Sequence, residues 1–99
     1  MVVSTLIRDG NLFRLTGPVV KANVVSLLEE GGAIFGGGEV TVDFSGVTEV
    51  DSSAVSLMLE WLRRGNGRQS LRFVNLPGNL LSLANLYGVT EVLQQAENA

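Results

Sequence analysis

The 99-residue chain has neither cysteine nor histidine, and Lys21 is its one lysine. Without cysteine there is no disulfide scaffold and no thiol chemistry, which fits a reducing compartment. Without histidine the common zinc sites and imidazole acid–base catalysis are excluded. Charge is also scarce, 17% of residues with a net of −3. Its densest basic run is Arg63-Arg64, with Arg68 and Arg72 nearby. That is too little for the basic face that nucleic acid requires. The longest uncharged stretch, Phe73 to Thr90, contains Pro77, Gly78, Gly88 and asparagines, so it does not read as a membrane span. No basic segment precedes an apolar run near Met1, so the chain reads as cytoplasmic.

What is present is a folded chain: 45% of residues are apolar, enough for one core. A chain this short forms one domain and buries roughly 60–70% of its surface, leaving little room for a deep private active site. Few charges on that surface suit a subunit that meets a partner.

Two β-like runs, Val3 to Arg8 and Leu12 to Thr16, flank Asp9-Gly10, a hairpin signal of the type I′ kind. Gly17-Pro18 then reads as a strand break, with Pro18 placed to open a helix. Val20, Val24, Leu27 and Leu28 recur at helical spacing, and Gly31-Gly32 reads as the stop. Ala33 to Gly38 reads as a loop. A phosphate loop would close on Gly-Lys-Ser/Thr, and here Glu39 follows the glycines.

Glu39 to Phe44 alternates, with Val40, Val42 and Phe44 on one face and Thr41 and Asp43 on the other, which predicts a central strand. Ser45-Gly46 reads as a turn. Asp51 or Ser52 is then the N-cap of a helix from Ser53 to about Gly65. This helix carries two apolar stripes, Val55-Met58-Leu59-Leu62 and Ala54-Leu57-Met58-Trp61. A helix lying on a sheet needs only one. Either neighbouring helices bury both, or Leu57 and Trp61 reach a partner. Ser70 to Asn75 reads as a fourth strand. Leu76-Pro77-Gly78 leads into a last helix that Gly88 ends, with one more turn over Val89 to Gln95 and fraying after Glu97. The order β-β-α-β-α-β-α predicts an α/β fold: a four-stranded mixed sheet with helices mainly on one face.

The polar residues expected to converge are Asp43, Asp51, Ser52 and Ser53. Ser52 or Ser53 as nucleophile would need a base, and no histidine or nearby lysine supplies one. A cap accounts for one of these side chains, not for two hydroxyls beside an aspartate where a strand hands over to a helix. Ligands and partners dock at such corners. A phosphoryl group on Ser52 would add about −1.5 to −2 of charge there. Asp43 and Asp51 would oppose it, so it would alter the surface more than the fold.

The run from Val40 to Val55, with Asp51-Ser52-Ser53 at its end, resembles the signature of the STAS domain, found in bacterial anti-sigma-factor antagonists and at the cytoplasmic ends of sulfate transporters. In the antagonists the serine after the aspartate is phosphorylated by a partner kinase, which implies Ser52 here. The chain departs from that pattern with Ala54, where antagonists usually carry glycine. Leu83-Ala84-Asn85-Leu86-Tyr87-Gly88-Val89 resembles a segment of the MlaB-type STAS subunits of Mla phospholipid-transport ABC systems. That resemblance implies a non-catalytic cytoplasmic subunit without cofactor or metal. It would bind a MlaF-like ATPase, lie peripheral to the inner membrane through that partner, and turn the Ser52 corner toward it. The site residues expected are Asp51, Ser52, Ser53, Leu57 and Trp61. The alternative is an anti-sigma-factor antagonist whose partner kinase phosphorylates Ser52.

Overall fold

The computed structural model describes residues 4–34, 38–65 and 69–90. Thr5–Asp9 (β1) and Leu12–Val19 (β2) form an antiparallel hairpin in which Asp9 faces Leu12. Gly10 and Asn11 therefore make the turn. Gly10 takes φ 62° while Asn11 does not take a positive φ. This is the type II′ pattern, with glycine first, rather than the type I′ turn expected.

β2 does not stop at Gly17-Pro18. It continues to Val19 through a register shift between those two residues. Proline lacks a ladder donor and is tolerated at such an irregularity. The first helix accordingly begins later, as Lys21–Ile34 (α1). It also runs straight through Gly31-Gly32, the expected stop. Gly31 is buried against Trp61, and a Cβ there would lie 2.3 Å from the indole Nε1. This glycine admits a neighbour; it does not end a helix.

Gly38–Val50 (β3) is the longest strand and continues through Ser45-Gly46, where a turn was expected. It pairs in parallel with β2 on one side and with Gln69–Val74 (β4) on the other. The sheet order is β1-β2-β3-β4. Parallel neighbours need a crossover, supplied by α1 and by Ser52–Gly65 (α2). Gly78–Leu86 (α3) follows β4. Gly88 ends it at φ 72°, with the Val89 N–H donating to the Ala84 carbonyl at 2.9 Å and the Gly88 N–H to that of Asn85 at 3.1 Å. These are the paired bonds of a Schellman motif. The expected turn and fraying beyond Thr90 lie outside the described residues.

Strand alternation sends Val40, Val42 and Phe44 to one face, and register sets Phe13, Val42 and Phe73 in one row across it. Phe44 meets Phe73 edge to face, ring centres 5.8 Å apart. Leu27 of α1, Ala54, Val55, Leu57, Met58 and Trp61 of α2, and Leu80 and Ala84 of α3 complete the core. The helices cover that face. Thr41, Asp43, Arg14 and Arg72 occupy the other. Among the described residues, no helix is long and apolar enough to cross a membrane.

Candidate functional site

β2 and β3 end level with each other, Val19 opposite Val50. Each then hands over to a helix, so two helix N-termini open side by side at the carboxyl edge of adjacent parallel strands. Asp51 sits between them. Its Oδ1 accepts the Ser53 N–H at 2.8 Å, which makes Asp51, not Ser52, the N-cap of α2. Its Oδ2 accepts the Lys21 N–H at 3.0 Å, the first N–H of α1. One carboxylate thus satisfies orphan donors of two helices. Its own N–H donates to the Val19 carbonyl at 3.4 Å.

Partial burial alone would raise the Asp51 pKa. The backbone donors of Lys21 and Ser53, the Ser53 hydroxyl and the Lys21 charge outweigh it, holding the carboxyl below its ordinary 3.8. The group is therefore ionised at neutral pH. Ser52 is exposed at the first position of α2, and Ser53 is half-buried. The expected convergence of Asp51, Ser52 and Ser53 is present.

Asp43 does not join them. Because β3 runs on to Val50, Asp43 lies eight residues before Asp51, which follows the strand's last residue, roughly 25 Å away if the chain ran straight. Asp43 instead accepts the Asn75 side-chain amide and the Ser45 N–H, both at 2.9 Å. The Asn75 bond is the main cause of its lowered pKa; the Ser45 bonds and the Arg14 charge add to it against partial burial. Asn75 has φ 58°, and asparagine tolerates that region better than most residues. This aspartate braces the exit from β4.

Leu57 and Trp61 are not presented to a partner as side chains. They are 2% and 1% exposed, enclosed in the core with α1 packed over α2. Of the two stripes of α2, Ala54-Leu57-Met58-Trp61 is wholly in the core, and in the other Val55 and Met58 are buried while Leu59 and Leu62 are half-buried. Trp61 can be so deeply covered because Gly31 has no side chain.

Between α1 and α2 an open groove of about 370 Å³ is walled by Val25 and Leu28 on one side and by Ser53, Ser56, Leu57 and Glu60 on the other. Val25 is exposed. At the rim, hydrogen bonds from Arg63 and Arg64 lower the Glu60 pKa to about 2, so it stays charged. The spacing of this triad, although not picked out above, was recognisable in the sequence. The Lys21 N–H was not, because a backbone donor thirty positions from Asp51 carries no residue-type signal. The segment from Leu83 to Val89 divides: Ala84 is buried, whereas Leu86 and Tyr87 stand exposed beside the Gly88 turn.

Residues 8–95 match the family model described as the MlaB STAS domain. The chain belongs to the MlaB-type STAS domain family. Among solved structures, this STAS domain is similar to the anti-sigma factor antagonist SpoIIAA in its unphosphorylated form, with a TM-score of 0.67 and 20% identity over 90% of this chain and 84% of that one. That likeness shows the shared fold. No curated protein matches the chain.

Proposed function

We propose that this STAS domain is a non-catalytic subunit that binds and supports the ATPase of a Mla-type ABC phospholipid transporter, the system that maintains outer-membrane lipid asymmetry. The match of residues 8–95 to the MlaB STAS domain carries the reading. STAS domains are generally binding modules, and the chemistry at the corner agrees. Ser52 is exposed, but the chain contains no histidine to activate it. Asp51, the nearest carboxylate, has both oxygens engaged by backbone N–H groups. Ser52 and the start of α2 then form the face that meets a MlaF-like ATPase. The domain works in the cytoplasm and is held at the inner membrane by its partner. Leu57 and Trp61 support that face from within.

The test is affinity purification of the tagged chain from its own host, with mass spectrometry of the co-purifying proteins. An ABC ATPase with its permease is the expected result. A histidine-kinase-like anti-sigma factor in their place would overturn it.

A second reading, an antagonist switched by phosphorylation of Ser52, is favoured by one observation: Ser52 is exposed directly after the capping aspartate. The α2 dipole would favour a phosphoryl group there by about 0.3–1 kcal/mol. The Asp51 carboxylate would oppose it. This reading predicts that a host kinase labels the wild type and not Ser52→Ala.

A further inference from the structure

We infer that Asp51 is the positioning residue of the Ser52 corner, tying the start of α1 to the start of α2 so that the partner meets a preset surface. The inference rests on the ATPase-binding reading, which it deepens. Its basis is the pair of bonds from one carboxylate, Oδ1 to the Ser53 N–H at 2.8 Å and Oδ2 to the Lys21 N–H at 3.0 Å.

An N-cap needs one acceptor oxygen; here the second is used by a different helix. The two helices start together at this carboxylate and meet again where Gly31 packs on Trp61. They are therefore pinned at both ends, and the groove between them has a set width. Ser52 follows Asp51 directly, so its direction from the surface depends on the Asp51 backbone and on the cap. A partner that docks on Ser52 and on the neighbouring start of α1 needs both held at one spacing. Loss of the tie would leave two correctly folded helices whose starts are related only through the paired strand ends Val19 and Val50 and the backbone bond from the Asp51 N–H to the Val19 carbonyl. An interface that must first order its own parts loses affinity for that reason.

Asp51→Ser separates the two functions of the carboxylate. Serine caps α2 as well as aspartate does, but its single short-armed oxygen does not also span to Lys21. Asp51→Ala removes both bonds. Asp51→Asn keeps the shape but turns an amide donor toward one of the two N–H groups. Amide hydrogen exchange on the full chain and titration of the purified ATPase subunit are measured on all four proteins. The expected result has three parts. The Lys21 amide exchanges at least fivefold faster in Asp51→Ser and in Asp51→Ala, whereas the Ser53 amide does so only in Asp51→Ala. Asp51→Ser binds the ATPase at least fivefold more weakly than wild type while keeping its far-UV circular dichroism. Asp51→Asn does not restore affinity. Unchanged Lys21 exchange in Asp51→Ser would remove the tie. Faster exchange with undiminished ATPase affinity would remove the positioning role and leave the functional reading intact. A wild-type chain that does not bind the ATPase would overturn the functional reading and the positioning role with it, and the exchange result would stand as a property of the fold alone.

Discussion

The two ends of the α1–α2 pair are held by different physics. At their starts, the Asp51 carboxylate bonds the Lys21 and Ser53 N–H groups, close to solvent and beside an exposed serine. Ten or so residues further along, Gly31 lies on Trp61, with the indole 1% exposed. The apolar end supplies stability through burial and tight fit. The polar end contributes little energy but fixes direction, because hydrogen bonds are directional and burial is not. A surface that must be read by a partner is better set by the second kind of contact.

Breaking the apolar end has the largest expected effect. Trp61→Ala should lose about 3–5 kcal/mol in urea or guanidinium unfolding. That is a large share of a total stability of ~5–15 kcal/mol. Its loss of partner binding should follow unfolding rather than a missing contact. Next is Gly31→Ala. A Cβ at that position would sit 2.3 Å from the Trp61 Nε1 and 2.8 Å from its Cε2. Alanine favours a helix interior over glycine by about 1 kcal/mol. Overpacking works against it by about 1–3 kcal/mol, so net destabilisation is expected on the same unfolding curves. Trp61→Phe in the Gly31→Ala background should restore part of the loss, giving a double variant more stable than the sum of the singles.

The polar end should respond more weakly and with a pH signature. Asp51→Ala should cost about 1–2 kcal/mol near neutral pH. The folded-state pKa of Asp51 lies below 3.8. The stabilisation from its ionised form is therefore complete above 3.8 and is lost as pH falls through the folded value. Wild type and Asp51→Ala should differ in stability at pH 6 and converge in acid. A gap that stays constant down to pH 2 would show that the carboxylate charge has no part in the cap.

Much of this was legible in the sequence. The element order, the alternation of Val40, Val42 and Phe44 and the stop at Gly88 each rest on local rules: period-2 patterning, helical spacing and the fit of glycine to positive φ. What escaped was set by tertiary contacts. Gly31-Gly32 looks like a helix end to any local rule, and the bulk of Trp61 explains why a glycine stands at position 31 inside the helix. Ser45-Gly46 looks like a turn, but β2 is long enough beyond Thr16 to keep β3 paired to Val50. That extension moves Asp43 away from Asp51 and splits the expected polar group. Leu57 and Trp61 were ambiguous because a two-striped helix reads alike whether a partner or a sister helix covers its second stripe. Asp51 was legible as a candidate cap, but its second bond goes to a backbone donor and had no sequence signal.

Smallest for the fold and most informative for function is Ser52→Glu. An exposed first-turn position should change stability by less than about 0.5 kcal/mol. The most direct test of the account is calorimetric titration of the purified ATPase subunit with wild type and with Ser52→Glu, thermal unfolding being measured alongside. The account predicts that wild type binds and that Ser52→Glu binds at least tenfold more weakly with an unchanged unfolding midpoint. Equal affinities for the two proteins, or a wild type that does not bind, would contradict it.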